Sequence, residues 1–375
     1  MVLTAAAVIG LRIAAQQLDR APAERALTDA AIFDLGIQDT GSDSASWALV
    51  NRGVPVDSPE SLAGSDDIAL VWSLRASPHF YRRSDLLGVL TAVSPFSEAD
   101  AGKRIISAAQ PLKAAGISAR DGLSEVAGQL RRLVQSPTVK GELSTRVSAV
   151  LDEPYLKDCV PCGAVHVYEM PFRLGALYGG LELAPGTSPP LLKRIPGWPR
   201  RPAGPDPDPT AAPEHLQVIR NYLRFLGPAA PKDVAGFLDA SLADVKAHWP
   251  EDAVEVSVEG AKAWTLGEPD GAPVDSTLVR LLGPYDLLLQ GRDRHVLVSD
   301  KAHHKALWPT IGRPGAVLSG TEIIGTWRPK ASGSKFSVRL DTWVSASKAV
   351  RARIEEQAAL LAAHRGLTFT GLLTD

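Results

Sequence analysis

The spacing of apolar residues at the start of the chain predicts three short helices followed by a strand. Helical periodicity runs over residues 4–17 and again over residues 23–35, and a shorter helix is predicted from Ser46 to Val50. The alternating run from Ile68 to Leu74 then has the two-residue period of a β-strand. Three helices followed by a strand are the skeleton of a winged helix-turn-helix unit.

The same order of elements is predicted twice more along the chain. In the second copy, Leu123–Val134 and Lys140–Leu151 are helices, and Val165–Leu183 contains a helix and a strand. The third copy has helices at Leu216–Leu226, Pro231–Leu238 and Leu242–Trp249, followed by a hairpin of Val254–Val258 with Ala263–Leu266. This repetition predicts tandem winged-helix units.

A proline-dense stretch from Pro185 to Pro213 separates the second copy from the third. Prolines at this density disfavour helices and central strands, so an extended connector is predicted here. Lys193, Arg194, Arg200 and Arg201 make it basic. The connector is either a solvated linker or a segment that contacts the DNA backbone.

From Leu278 to Trp343 the pattern changes to short apolar segments bounded by Gly, Pro or Asp, which predicts a small antiparallel sheet or barrel. The predicted strands cover residues 278–282, 296–298, 315–318, 322–327 and 336–340, and a helix over 346–364 closes the chain. The expected fold class is α+β, with tandem winged-helix units and a small C-terminal β-barrel-like domain.

These patterns predict five segments. They are a first winged-helix unit at 1–110, a second at 111–184, the connector at 185–213, a third unit at 214–274, and a β-rich domain with the final helix at 275–375.

Composition limits the class of protein. A net charge of −2 with 40 Lys and Arg excludes a uniformly basic protein but allows one basic face. Arg12 and Gln16 interrupt the apolar start, no cleavage site follows, and no run reaches the ~18 apolar residues of a spanning helix. Two cysteines do not make a disulfide framework. We therefore expect a soluble cytoplasmic protein.

Six short elements occur in order along the chain. They are Arg12–Gln16, Leu35–Thr40, Trp72–His79, Tyr222–Pro228, Leu282–Asp286 together with Gly291–Arg294, and Gly325–Arg328. Together they resemble the AlkZ-like (YcaQ/AlkX) winged-helix DNA glycosylases. The resemblance implies a cleft around duplex DNA in a nucleoid-associated protein that needs no cofactor. It also implies hydrolysis of the N-glycosidic bond of bulky N7-alkylguanine-type purines in base excision repair, in several members as self-resistance to a DNA-alkylating natural product.

The family holds its attacking water with a Gln-x-Gln or Gln-x-Asp motif. The corresponding element here is Gly36-Ile37-Gln38, in which Gly replaces the first Gln, and Asp39 follows directly. An N7-alkylated purine is already cationic, so the enzyme has mainly to position water and stabilise positive charge on the sugar. Gln38 and Asp39 are the catalytic candidates, with Gln38 orienting the water and Asp39 accepting its proton. The structural alternative is a helix C-terminus followed by an N-cap Asp.

The candidate DNA contacts are basic residues in three places. Arg75, His79 and Arg82 follow the first predicted strand, and Arg292 and Arg294 flank Asp293 at a predicted hairpin tip. Arg328 ends the last of the six elements, and Lys330 lies two residues beyond it. Each could contact phosphate oxygens and so position the protein on DNA. The alternatives are a structural role for His79 and an intramolecular Arg–Asp pair at Asp293.

Cys159-Val160-Pro161-Cys162 has the opening of a zinc site, with His166 close behind. A tetrahedral site needs one more ligand, for which Glu169 or a distant His is a candidate. A redox pair is a second reading. The prediction is buried, reduced thiols with no metal.

A winged-helix regulator without enzyme activity is the alternative function. Regulators usually combine one DNA-reading unit with a dimerisation or ligand domain, whereas repeated units without coiled-coil heptads favour a monomer that encloses its substrate. No carboxylate cluster suggests the paired metals of a nuclease. The expected partner is double-stranded DNA with an alkylated base, bound by a monomer with no membrane contact.

Overall fold

Helices and strands are interspersed along the whole computed structural model, which describes residues 1–23, 25–41, 43–269 and 274–374. The α-helices are α1 (Ala5–Ala15), α2 (Ser44–Val50), α3 (Leu86–Ala92), α4 (Glu98–Arg104), α5 (Ala109–Ala114), α6 (Ala119–Leu133), α7 (Lys140–Ser148), α8 (Glu169–Tyr178), α9 (Val218–Leu226), α10 (Pro231–Leu238), α11 (Leu242–Ala247), α12 (Arg294–Leu297), α13 (His304–Leu307) and α14 (Lys348–His364). The strands are β1 (Val2–Leu3), β2 (Ile37–Gln38), β3 (Ile68–Trp72), β4 (Pro78–Arg82), β5 (Thr138–Val139), β6 (Leu156–Cys159), β7 (Ala164–Val167), β8 (Leu181–Leu183), β9 (Leu191–Arg194), β10 (Ala253–Val258), β11 (Ala261–Leu266), β12 (Val279–Leu282), β13 (Gly315–Ser319), β14 (Glu322–Ser332), β15 (Lys335–Thr342) and β16 (Thr368–Thr374).

The chain divides into two units, and the first is assembled from three separated stretches of sequence, Met1–Ser65, Arg220–Val234 and Pro250–Asp375. Its larger sheet has the strand order β12-β13-β14-β15-β16. The first three pairs of neighbouring strands are antiparallel and the last pair is parallel. A smaller sheet has the order β1-β10-β11.

One face of the larger sheet forms a hydrophobic core with α14. Phe336 and Val338 from the sheet pack with Ile354, Ala358 and Leu361 of the helix. The three helix residues recur at spacings of three and four, which places them on one face. Ser347 caps the helix by accepting a hydrogen bond from the Val350 amide at 3.2 Å. The sequence pattern and the cap therefore explain why this helix forms and which face it buries.

Two buried arginines hold the first unit together. The Arg12 guanidinium binds both carboxylate oxygens of Asp293, at 3.1 and 2.5 Å. The Arg52 guanidinium binds both oxygens of Asp286, at 2.8 and 3.0 Å, and also donates to the Gln16 side-chain oxygen at 2.9 Å. Bidentate pairs of this kind fix orientation as well as distance. They tie α1 and α2 to the segment that follows β12.

The same network also reaches the end of α9. Arg12 donates to the carbonyls of Gly227 and Pro228, and the Gln16 amide donates to the Phe225 carbonyl at 2.9 Å. Gly227 is required sterically, because a Cβ there would lie 2.1 Å from the Leu223 carbonyl oxygen. All three sequence stretches of the first unit thus meet in one hydrogen-bonded network.

The second unit comprises Asp66–Ile219 and Ala235–Trp249. Strands β4, β3, β8, β9 and β5 lie side by side in that order, and each of these pairs is antiparallel. Helix α6 buries Leu123, Val126 and Leu130. Gly175 of α8 has no side chain, and this allows α8 to approach α6 closely. A Cβ at this position would lie 3.3 Å from the Ala127 amide nitrogen. A separate antiparallel hairpin is formed by β6 and β7.

The α+β class and the C-terminal antiparallel strands are confirmed, whereas the division into winged-helix units and the five predicted segments stay predictions. The helix predicted over 23–35 is wrong, because two 3₁₀ turns, Leu27–Asp29 and Ala31–Asp34, occupy its described part. The Gln17 side-chain oxygen accepts a hydrogen bond from the Ala31 amide at 3.1 Å. That amide is therefore not available for the backbone hydrogen bonds of a continuous helix.

Two further predictions fail for identifiable reasons. Residues 296–298 do not form a strand, since the Val296 amide bonds the Asp293 carbonyl in a helical turn. A short run of buried apolar residues is compatible with either a strand or a helical turn, so the sequence pattern does not distinguish them. In the connector, the proline-free Leu191–Arg194 forms β9 between β8 and β5, so the prediction of no central strand there is also wrong.

None of the helices in the described residues is both long enough and apolar enough to cross a membrane.

The buried pairs predict a large difference between two aspartate substitutions. Asp286→Ala leaves the fully buried Arg52 without its carboxylate and should lower the free energy of unfolding by about 3–5 kcal/mol. Asp252→Ala removes a carboxylate that is 58% exposed from its pair with Arg220 and should cost no more than about 1 kcal/mol. Urea unfolding of both variants measures this. Equal costs would mean that the buried pair does not constrain the unit.

Candidate functional site

The segment Gly36–Thr40 lies in the first unit and is anchored from the side of α9. The Asn221 side chain donates to the Asp34 carbonyl at 2.9 Å, and Arg224 pairs with the Asp34 carboxylate at 2.7 Å. Gly36 then adopts a φ of +87°, a conformation that residues with a side chain rarely take. The chain turns at Gly36 and enters β2. A glutamine at position 36 would be strained.

Two polar side chains of this segment are joined directly. The Gln38 amide nitrogen donates to the Thr40 hydroxyl at 2.9 Å. Both residues are partly buried, so each keeps some access to solvent. An amide oxygen and a hydroxyl side by side can hold one water molecule by two hydrogen bonds.

Asp39 lies between these two residues and faces the start of α2. Its Oδ1 accepts a hydrogen bond from the Ala45 amide at 3.3 Å. Burial raises the pKa of Asp39 from 3.8 to about 6; the Ala45 hydrogen bond opposes this and the nearby Asp43 adds to it. A carboxyl with this pKa is ionised at neutral pH and basic enough to accept a proton.

The start of α2 is fixed by the end of α14. Arg365 donates to the Asp43 carboxylate at 2.6 Å, and the His364 ring lies 2.9 Å from the Ser46 hydroxyl. The Ser44 hydroxyl donates to the Thr40 carbonyl at 2.5 Å. The candidate segment is therefore held on both sides by contacts from distant parts of the sequence.

Of the predicted DNA contacts, Arg75, His79 and Arg82 lie in the second unit. His79 is buried, and burial together with the positive charge of Arg75 lowers its pKa to about 3. It is therefore neutral and supplies no charge for a phosphate. Arg75 stacks on the Phe237 ring at 4.4 Å and donates to its carbonyl. Arg82 lies 3.4 Å from Asp85. DNA contact by these three residues stays a prediction.

Arg292 and Arg294 do not lie at a hairpin tip, so that expectation is wrong. Arg292 lies between a 3₁₀ turn, Leu287–Gln290, and α12, and Arg294 is the first residue of α12. Asp293 between them binds Arg12. Arg292 is exposed, and Arg294 stacks on Trp308. Burial lowers the pKa of Arg294, and the positive charges of Arg292 and Arg313 lower it further.

Arg328 and Lys330 are exposed and lie two residues apart on β14, so they share one face of the larger sheet. The register pairs Arg328 with Arg339 and Lys330 with Ser337, and Lys335 lies opposite Ser332 on the same face. Arg339 and Lys335 are exposed too. We call Arg328, Lys330, Lys335 and Arg339 the basic face. Lys335 and Arg339 were not among the predicted DNA contacts. The alternation of side chains along a strand could have identified them, because it places both on one face of β15.

Two basic residues of the connector, Lys193 and Arg194, are engaged within the second unit. Arg194 donates to the carbonyls of Val134 and Arg131, at 2.7 and 2.8 Å, and Lys193 lies 3.3 Å from the buried Glu182 carboxylate.

The two cysteines are not buried, contrary to the prediction, because they lie at the tip of the β6–β7 hairpin.

Comparison with known proteins identifies the protein family and the fold of this chain. A family model described as "DNA glycosylase AlkZ-like" matches residues 34–364, which include Gln38, Asp39 and the basic face. Among solved structures, Streptomyces sahachiroi DNA glycosylase AlkZ superposes with a TM-score of 0.73 at 20% sequence identity, with 100% of both chains covered. At this identity the superposition establishes a shared fold. No curated protein matches the chain by sequence.

The raised pKa predicts that Asp39 destabilises the native state at neutral pH. Protonated Asp39 favours folding, and this contribution is present below pH 3.8 and lost as the pH rises through about 6. Asp39→Asn keeps an acceptor for the Ala45 amide without the charge. Its stability relative to the parent should rise by about 2–3 kcal/mol between pH 4 and pH 8.

Urea unfolding of the Asp39→Asn variant at both pH values is the measurement. Asp300→Asn is a matched control, because Asp300 is an exposed carboxylate that also accepts a backbone amide. A pH-independent difference for Asp39→Asn would mean that the Asp39 carboxyl titrates normally.

Proposed function

Because the chain belongs to the AlkZ-like family of DNA glycosylases, which hydrolyse N-glycosyl bonds, we propose that its substrate is duplex DNA carrying a bulky N7-alkylated purine. The observation that carries this proposal is the pairing of a water-binding amide, Gln38, with a carboxyl whose pKa is about 6, Asp39. At neutral pH a carboxyl with a pKa of about 6 is mostly ionised, so Asp39 is present mainly as a base. A cationic N7-alkylpurine needs no proton in order to leave.

In the proposed reaction, Gln38 and the Thr40 hydroxyl orient one water molecule toward C1′ of the deoxyribose. The bond from C1′ to the purine breaks, its electron pair neutralises the cationic base, and the water oxygen bonds to C1′. The proton of that water passes to Oδ2 of Asp39, since Oδ1 is occupied by the Ala45 amide. The ionised carboxylate also stabilises positive charge on the sugar in the transition state.

The hydrogen bond between Gln38 and Thr40 supports a register in which these two residues form the water-binding pair. In that register Gln38 is the first residue of the family's Gln-x-Gln or Gln-x-Asp motif and Thr40 replaces the second. Gly36 is then a turn residue, in keeping with its φ of +87°. The catalytic assignment of Gln38 and Asp39 is kept, and Thr40 is added to it.

We also propose that the enzyme is a monofunctional glycosylase. Lyase chemistry needs an amine that attacks the sugar, and the first lysine of the chain is Lys103. We propose further that it acts as a monomer in base excision repair and gives self-resistance to a DNA-alkylating natural product.

The basic face is the proposed contact to the DNA backbone. Its four cations project from one side of β14 and β15, whereas the opposite side carries Trp327 and Phe336 into the core. A row of cations along paired strands suits a row of phosphates, and phosphate contacts hold a protein on DNA without reading sequence. The exposed Arg292 and the neighbouring Arg294 form a second candidate contact.

Excision assays test the catalytic residues. The parent protein should release N7-methylguanine and bulkier N7-alkylguanines from duplex DNA, leaving alkali-labile sites. Gln38→Ala should slow single-turnover excision by about 10²- to 10³-fold, and Asp39→Asn by about 10²- to 10⁴-fold. Asp300→Asn should excise at the parent rate. Tight lesion binding without excision of any adduct would instead favour a non-catalytic DNA-binding protein.

The same assay as a function of pH reports on Asp39. Because the proton acceptor must be ionised, the rate should fall about tenfold per pH unit below pH 6 and level off above it. The residual activity of Asp39→Asn should lack this acid limb.

Salt dependence tests the basic face. Removing two phosphate contacts with Arg328→Ala and Lys330→Ala together should weaken DNA binding and reduce the slope of log K against log salt by about 1.8. Lys348→Ala with Arg351→Ala removes two exposed cations from α14 and should leave the slope unchanged. The two slopes are obtained from fluorescence anisotropy with an unmodified duplex. Equal slopes would place the DNA elsewhere.

A further inference from the structure

The tip of the β6–β7 hairpin has the backbone of a metal-binding turn. Cys159 ends β6, Val160–Cys162 form a 3₁₀ turn, and Gly163 follows with a φ of +62°. The Gly163 amide donates to the Cys159 carbonyl at 2.9 Å, which closes the turn. A Cys-x-x-Cys-Gly turn of this kind directs both sulfur atoms to one side, and glycine is the residue that tolerates the left-handed position.

His166 completes a set of three ligands. The two Sγ atoms and a His166 ring nitrogen all lie within 4.8 Å of one another. The Cys162 thiol and the His166 imidazole are both within hydrogen-bonding reach of Cys159. Around tetrahedral Zn²⁺, bonds of about 2.0–2.3 Å separate ligand atoms by roughly 3.4–3.8 Å. A small contraction of the present cluster gives that geometry.

The orientation of the His166 ring also suits a metal ligand. Its Nδ1 lies 2.8 Å from the Val167 carbonyl, to which it donates. The remaining nitrogen, Nε2, is then the unprotonated one and can donate its lone pair. Histidine ligands in proteins are usually held by such a hydrogen bond from the other ring nitrogen.

The fourth position is open to a groove with a volume of about 650 Å³, lined by Ser144, Cys162, His166 and Glu169 among others. Glu169 is outside the cluster of ligand atoms, and its Oε1 accepts hydrogen bonds from Lys140 at 2.7 Å and Arg173 at 2.5 Å. Water from the groove is the ligand that fits.

The hairpin has little else to hold its tip. Val160 and Val165 are 87% and 59% exposed, so its apolar side chains bury little surface. An isolated two-stranded hairpin is marginally stable in water. A metal bound to the turn and to β7 would cross-link the two strands.

We propose that Cys159, Cys162 and His166 bind one Zn²⁺ ion, with water from the groove as the fourth ligand. Binding replaces the two thiol protons, which are released to solvent, with two metal–sulfur bonds. The site lies in the second unit, apart in sequence from Gln38 and Asp39, and its function is to stabilise the hairpin.

Titration of the full-length, metal-free protein with Co²⁺ and then Zn²⁺ tests the proposal. We expect one Co²⁺ per chain with the intense visible bands of a tetrahedral thiolate site, displaced by one equivalent of Zn²⁺. Cys159→Ser, Cys162→Ser and His166→Ala should each weaken Zn²⁺ binding more than the roughly 10- to 100-fold that loss of an outer hydrogen-bonding partner costs. Zn²⁺ should also protect both thiols from alkylation.

Two controls sharpen the result. Glu169→Gln should retain the Co²⁺ spectrum, and its loss would overturn water as the fourth ligand. His295→Ala, which changes an exposed histidine elsewhere, should bind as the parent does. A parent protein that shows no thiolate–Co²⁺ spectrum, or whose thiols form a disulfide that reductant reverses without any metal effect, would overturn the zinc site in favour of a redox pair.

Discussion

The first unit depends on burying two guanidinium groups, Arg12 and Arg52, each matched to a carboxylate. A buried charge without a partner costs several kcal/mol, so the segments that carry Asp286 and Asp293 must dock where they do. Gln16 links the Arg52–Asp286 pair to the end of α9, where Arg12 also binds, since its side chain accepts from Arg52 and donates to the Phe225 carbonyl. One network therefore sets the relative positions of α1, α2, the end of α9 and the segment after β12. The candidate segment Gly36–Thr40 lies between α1 and α2 in the sequence, and contacts from α9 and from the end of α14 hold its two sides.

This network explains why the family resemblance can be found in the sequence although its physical basis cannot. Three of the six matching elements contain its members: Arg12–Gln16, Tyr222–Pro228, and Leu282–Asp286 together with Gly291–Arg294. Half of the matching elements thus contain residues that hold the fold. Sequence alone does not pair Arg12 with Asp293, since 281 positions separate them. For the same reason Asp293 suggested a pair with its neighbouring arginines.

Local pattern was sufficient where an element is long or has a distinct cap, and insufficient where a distant side chain decides. The 17-residue α14 was predicted within two residues of its start, because its apolar spacing and the Ser347 cap are local features. The turns after Pro22 were predicted as a helix, because the local sequence pattern does not indicate that the Gln17 side chain accepts a hydrogen bond from the Ala31 amide. Strand β16 was missed, since its pairing with β15 is a parallel, non-local contact.

The sequence was sufficient to identify the candidate residues of the site, but it did not indicate their protonation states. Gln38 and Asp39 were found by motif, but the raised pKa of Asp39 comes from burial. The low pKa of His79 likewise comes from burial. The two shifts have opposite consequences. Burial leaves His79 neutral, which removes a cation, whereas it leaves Asp39 ionised at neutral pH but unusually basic. That basicity has a cost in stability, and the surrounding contacts must hold Asp39 in place against it. Asp34 and Asp43, bound by Arg224 and Arg365, fix the segment on either side of Asp39. Asp39 thus keeps its basic carboxyl between two carboxylates, Asp34 and Asp43, that are each paired with an arginine.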